Sequence, residues 1–265
     1  METAGINWQK IYSIDKGAGY RWQITSLNLQ LFRYPKQWLI CWHSDLANES
    51  REVIVEALGI DAEPQNDFQH EHYMVKTTTT KARLTPRTAD RPVVVRPRDP
   101  FILPSHEEAT LFVSTPLWIE IAVDDPSKVL KEMPVRRPSD TWFGPSLLTG
   151  DLCYDSRTRG VMDLQQLEYQ PNRVITPLLI RNLAETPLTL ERVSLPVPLL
   201  SVYEADDKTL WTESVSLTRE EDGEIAALKI SEGQPQQARR AKKITEPRHK
   251  ADKNTFVRAF GGLFS

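Results

Sequence analysis

His70-Glu71-His72 is the closest approach to a metal-binding pair in this 265-residue chain. In an extended segment both imidazoles fall on one face, because strand side chains alternate with period two. A zinc ion needs three or four nitrogen, sulfur or carboxylate ligands, and no third residue stands at usable spacing. His43 and His106 are isolated beside Ser and Glu. There is no nucleophile elbow, no phosphate loop and no zinc signature. The chain is therefore expected to carry no catalytic residue, no metal ligand set and no cofactor site. Cys41 and Cys153 are far apart in sequence and are expected to be reduced, buried and to behave as small hydrophobes.

Two other residue types could do chemistry by binding. Trp22, Trp38 and Trp42 fall in the first 44 residues, where they could form an aromatic platform for a sugar. Packing is the expected use, since large aromatics are mostly buried; a carbohydrate-binding module is the first alternative function and a hydrolase of unrecognised type the second. Arg83, Arg87, Arg91, Arg96 and Arg98 could face phosphate. They are not interleaved with aromatics, and Asp90, Asp99, Glu107 and Glu108 sit nearby, so they are expected to form a solvated face and nucleic acid is not an expected partner.

The elements that must position these residues read as strands. Arg173 to Ile180 is rich in β-branched and aliphatic residues, and Pro177 within it predicts an edge or bulged strand. Leu188 and Leu190 alternate with Thr189 and Glu191, and the phase slips near Arg192 to Val193, Leu195 and Val197, which predicts a β-bulge. Leu199 to Tyr203, Leu210 to Leu217 and Ile225 to Ile230 follow, divided by Asp206-Asp207-Lys208 and Glu220-Glu221-Asp222-Gly223. The N-terminal 44 residues read as a meander with turns at Asp15 to Gly19 and Tyr34 to Gln37. Glu49 to Leu58 fits helix or strand. Short strands at this spacing predict an all-β, antiparallel, sandwich-like fold, with the boundary between two sheet-forming halves expected in the Pro- and charge-rich stretch Asp124 to Pro138. The expected division is two packed β halves, 1–124 and 139–232, with a basic tail over 233–265. Ser139 to Pro145, with Trp142, Phe143 and the later Tyr154, predicts a corner that plugs one end of the second half.

The tail changes composition. Gln234 to Ser265 carries eight basic residues against two acidic, a net of +6, which leaves −9 for the rest of a chain whose total is −3. Its first twenty residues are too polar to order alone, so a flexible basic C-terminal arm is expected, whose removal leaves a folded body. Phe256, Val257, Phe260, Leu263 and Phe264 fit one stripe of a helix. Arg239, Arg240, Lys242 and Lys243 with those five apolar residues form the predicted partner-binding set. The arm could fold onto its own acidic body, lie on an anionic membrane, or dock into a groove on another protein. Docking is preferred, and the charge split also permits a homo-oligomer. There is no apolar run near the ~18 residues a membrane helix needs and no leader in Met1 to Lys10, so a cytoplasmic location is expected.

Ser139 to Pro145, Gly150-Asp151-Leu152-Cys153-Tyr154, Pro187 to Arg192 with Leu195-Pro196-Val197, Arg91 to Val95 and Pro116-Leu117-Trp118-Ile119 resemble an uncharacterised prokaryotic family, domain of unknown function 432, over about residues 8–232. The resemblance implies no activity and no catalytic residues. It does imply a membrane-associated partner, a mechanosensitive channel of the small-conductance type, and so a peripheral position at the inner face of the membrane. The expected function is a non-catalytic cytoplasmic accessory protein that binds such a partner through its C-terminal arm.

Overall fold

The computed structural model describes residues 6–45, 47, 51–124, 128–146, 148–251 and 255–261. It is all-β, built from several mainly antiparallel sheets. The chain forms two compact units. The first comprises Met1–Arg87, Leu117–Arg136 and Gln170–Asn172, and the second Thr88–Pro116, Arg137–Tyr169 and Arg173–Ser265. The expected split at 124–138 is thus replaced by units that the chain visits alternately.

The first unit begins with β1 (Tyr12–Ser13), β2 (Gly19–Ile24), β3 (Leu27–Tyr34), β4 (Gln37–Ser44), β5 (Val53–Leu58), β6 (Gln69–Met74) and β7 (Lys81–Arg87). The chain then builds β8 (Val93–Pro97), β9 (Phe101–Leu103) and β10 (Glu108–Pro116) of the second unit, and returns for β11 (Trp118–Val123) and β12 (Lys128–Pro134). The last of these lies inside the expected connector. It pairs with β11 from Trp118↔Pro134 to Val123↔Lys128 and ends its sheet, so the Pro- and charge-rich composition marks an edge strand rather than a boundary. The unit holds a five-stranded sheet, order β5-β2-β3-β4-β6, and a four-stranded sheet, order β1-β7-β11-β12. Tyr12 of β1 meets Tyr20 and Trp22 of β2 edge-on at 5.0 and 5.1 Å, so the two sheets share one core. The helix-or-strand ambiguity over Val53–Leu58 resolves as strand because all six residues pair with β2. Buried Arg33 donates to the carbonyls of Ile14 and Thr78 and to Thr78 Oγ1, a buried cation satisfied by neutral acceptors.

The second unit continues with β13 (Ser139–Phe143), β14 (Asp151–Gly160), β15 (Arg173–Asn182), β16 (Leu188–Leu190), β17 (Arg192–Leu195), β18 (Val202–Glu204), β19 (Leu210–Trp211), β20 (Val215–Arg219), β21 (Ile225–Ile230), β22 (Lys242–Thr245), β23 (Thr255–Arg258) and β24 (Phe260–Gly261). Its spine is β15, which pairs with β10 along nine residues, Glu108↔Arg181 to Pro116↔Arg173. On its other side β15 is parallel first to β19 at Ile175 and then to β20 from Leu178 to Asn182. Beyond β19 lie β18 and β22, and beyond β20 lie β21 and β23.

Pro177 does not make β15 an edge strand. Phe112, its partner on β10, exchanges both backbone bonds with Val161, so it turns those groups away from β15. In an antiparallel ladder that makes Phe112↔Pro177 a pair without hydrogen bonds. The proline nitrogen therefore faces the side where β19 has ended and β20 has not begun, and its missing N–H costs nothing. The phase slip at Arg192 is not a bulge either. Leu188–Leu190 pairs with β9, whereas Arg192–Leu195 pairs with β8 and β24, so the apolar face changes because the chain changes sheet.

Over its described residues the C-terminal segment is part of this unit. β22 pairs with β18, β23 with β21 and β24 with β17. Ala238 and Ala241 are buried with Tyr203 and Trp211, and Ala259 and Phe260 are buried. The flexible arm and the helical stripe expected over Phe256 to Phe264 are therefore replaced, where described, by strands. Their backbone groups find partners in the sheets rather than in a helix. Phe260→Ala is expected to destabilise the protein by about 3–5 kcal/mol, read by urea denaturation. Truncation before Gln234 removes three paired strands and is expected to lower the unfolding midpoint further, against the expectation of an intact body; an unchanged midpoint for either variant refutes this placement.

Candidate functional site

The predicted partner-binding residues do not converge. Arg239 and Arg240 are exposed in the turn before β22, and Lys242 and Lys243 stand on β22 opposite Glu204 and Tyr203. Lys243 lies 5.8 Å over the Tyr203 ring and 3.2 Å from Glu246. Phe256 is on β23, 60% exposed. Val257 is half-buried and Phe260 buried. Leu263 and Phe264 lie outside the described residues. Basic and apolar members thus belong to different strands, because β22 extends the sheet beyond β19 and β23 extends it beyond β20.

Phe256 instead joins residues that the sequence marked only as a turn and a strand. Cross-strand partners share a face, and the pairs Ala227↔Phe256 and Ile225↔Arg258 put Ile225, Ala227, Phe256 and Arg258 on the side opposite buried Ala226 and Leu228. Ile225 is 48% exposed there. The turn Glu220-Glu221-Asp222-Gly223 borders them, with Gly223 at φ +138°, a backbone that suits glycine. Together Glu220, Glu221, Asp222, Gly223, Ile225, Ala227 and Phe256 line a cavity of about 320 Å³. Asp222 is held by Arg219 at 3.0 Å, and Arg258 by Glu224 at 2.6 Å. Glu220 and Glu221 are exposed with no ion pair among the described residues. The lining has an apolar floor and a carboxylate rim but no Ser, Cys, His or Lys, so what it offers is a seat for an apolar group bearing positive charge. The available signal was that Ile225-Ala226-Ala227-Leu228 is apolar on both faces, which for a strand next to an edge asks what covers the outer one.

The residues that could have done chemistry have other duties. His70 and His72 do share a face of β6, but His70 Nε2 lies 3.1 Å from the Gln65 carbonyl and Nδ1 3.5 Å from Cys41 Sγ. A carbonyl only accepts, so Nε2 carries the proton and Nδ1 accepts from the thiol. Cys41 is fully buried, and that burial pushes its thiol up to about 11, the reverse of what a nucleophile needs. Cys153 is buried and its thiol is likewise raised by desolvation; both cysteines are free. No three His, Cys, Asp or Glu among the described residues cluster around a metal-sized gap. Trp22 and Trp38 are fully buried, and half-buried Trp42 is capped by Lys131 at 4.2 Å. The arginines are spread out: Arg87 faces Glu120, Arg91 Asp140, Arg96 Asp155 and Arg98 Gln166.

The hairpin of β13 and β14 is only in part the expected plug. Phe143 is buried with Val94 and Cys153, but Trp142 is partly exposed beside Leu152, and Leu148 at the tip is 96% exposed. The loop is fixed by Trp142 Nε1 donating to the Ser146 carbonyl at 2.7 Å and by close backbone approach at Gly144.

With a pKa near 11, only about a thousandth of the Cys41 thiol is thiolate at pH 8. Iodoacetamide labelling of the native protein is therefore expected to leave Cys41 and Cys153 unmodified over hours at that pH and to modify both after unfolding. Rapid labelling of native Cys41 would reopen a nucleophilic role.

No helix among the described residues is long and apolar enough to cross a membrane. No curated protein and no solved structure matches the chain. A family model described as protein of unknown function, DUF432, matches residues 8–265. The match runs through the C-terminal strands to the last residue, beyond the 8–232 expected from sequence, and the chain belongs to this DUF432 family of unknown function.

Proposed function

We propose that the protein is a non-catalytic accessory protein that binds a protein partner at the groove of β21 and β23, with Phe256 as the C-terminal segment's contribution. The observation that carries the reading is the 320 Å³ cavity with its apolar floor and acidic rim. Exposed apolar residues rimmed by polar ones mark interaction surfaces, and a large aromatic in a pocket is a common energetic anchor. In this reading the aromatic side chain of the C-terminal segment is offered from a strand held in the body, β23, not from a loose helix. A membrane channel of the small-conductance mechanosensitive type is the partner to which the family resemblance points. The carbohydrate reading has less support, since two of its three tryptophans are buried and the third lies under a lysine.

Affinity capture of the full chain from its native cells, followed by quantitative mass spectrometry, tests the reading. Phe256→Ala is expected to weaken capture of the specific partner by about tenfold or more. The unfolding midpoint should stay near that of the parent protein because the side chain is largely exposed. Equal capture by both proteins overturns the assignment of this groove.

A further inference from the structure

We infer that the groove of β21 and β23 receives the basic turn Arg239-Arg240 of a second copy of this chain. The inference rests on the reading of that groove as a docking site and names a second copy, in place of a channel, as its occupant.

The turn is built to project two guanidinium groups. Ala238 and Ala241, on either side of it, are buried against Tyr203 and Trp211, and Ala241 N–H donates to the Ala238 carbonyl at 3.4 Å. Both arginines between these anchors must then point outward. Arg240 has φ +50°, a left-handed backbone uncommon for a residue with a long side chain, which persists only where its surroundings impose it. Its guanidinium reaches Asp206 only at 3.9 Å, with the side chain 88% exposed. The anchored backbone beneath these two side chains lowers the entropy cost of binding, since only the side chains remain to be ordered.

The groove is the chemical complement. An arginine has an apolar stem and a charged, planar head. The stem matches Ile225, Ala227 and the Phe256 ring, over which a guanidinium also stacks favourably. The head matches Glu220 and Glu221, whose carboxylates have no ion pair among the described residues. The turn cannot serve its own groove without leaving its alanine anchors, since it is pinned next to β18 and β19 while the groove lies on β21 and β23. A second copy supplies the same turn in the same rigid form. If each copy offers its turn to the other's groove, the contact is isologous and closes as a two-fold pair.

The test uses full-length protein in sedimentation velocity over a range of concentrations at low and moderate salt. The wild type is expected to dimerise, more weakly as salt rises. The double variants Glu220→Arg with Glu221→Arg, and Arg239→Glu with Arg240→Glu, change exposed residues only and should keep the parent unfolding midpoint. Each alone is expected to dimerise about tenfold or more weakly. An equal mixture should recover the wild-type affinity, because every turn then meets a groove of opposite charge. A wild type that stays monomeric throughout, or a mixture that does not recover, overturns the inference. If that happens while Phe256→Ala still loses the captured partner, the groove is a docking site for another protein and only the occupant is wrong. If Phe256→Ala alters neither capture nor dimerisation, the groove reading falls as well.

Discussion

The nine-pair ladder between β10 and β15 is the constraint on which the second unit depends. It places Ile180, Leu178 and Val174 in the core and gives β15 a long partner on one side, leaving its other side to be shared by β19 and β20. Buried Arg173 fastens the end of this ladder to β14. It donates to Ser114 Oγ and the Ser114 carbonyl on β10, and to Ser156 and Thr158 on β14. A buried guanidinium with poor partners would cost several kcal/mol, so these hydroxyls and the carbonyl are what make the residue tolerable there. The sharing of β15 between β19 and β20 then splits the outer part of the sheet. One branch carries the basic strand β22, the other the apolar edge β23, and that separation keeps the positive and aromatic parts of the C-terminal segment apart.

Much of the fold was legible because alternation is a local property. The hairpin turn at Tyr34 to Gln37 and the strands over Arg173 to Ile180 and Ile225 to Ile230 follow from residue type and period two, whereas Leu210 to Leu217, expected as one strand, is divided between β19 and β20, and Leu199 lies in a short 3-10 turn before β18. The misread places share a cause: partners distant in sequence decided them. Pro177 reads as an edge signal unless one knows that its ladder is interrupted at that residue. The slip at Arg192 reads as a bulge unless one knows that β9 and β8 wait on different sheets. The interleaving of the two units is non-local in the same sense, since nothing within 88–116 announces that its partners lie beyond residue 139.

The C-terminal segment was misread for a more specific reason. Phe256 and Phe260 are four apart, a spacing that suits a helix face and equally one face of a strand. Neither pattern holds through the pair: the amides of Ala259 and Phe260 both converge on the Glu224 carbonyl, and the chain passes there from β21 to β17, so one ring ends outside and the other inside. The polar run before it looked unable to order because alanine contributes little to any hydropathy window. Yet Ala238 and Ala241 are the residues small enough to settle against Tyr203 and Trp211. Of the candidate site, only Phe256 and the acidic turn could be named from sequence, and their adjacency could not.

An edge strand that shows an aromatic ring to water is a liability that folded proteins usually blunt with charge, proline or a covering element. β23 has partial protection on one side: Arg258 is tied to Glu224 and lies 3.9 Å from Asp151. Phe256 has no such cover among the described residues, and its removal would cost the fold little. Under the docking reading proposed for this groove, the ring is kept for what it touches in a complex rather than for what it does in the free chain. The acidic turn beside it favours cationic surfaces and repels anionic ones at distances of about 8–10 Å at ordinary salt. Apolar contact and charge selection therefore meet at one edge of the second unit, where Phe256 and Ile225 lie beside Glu220 and Glu221.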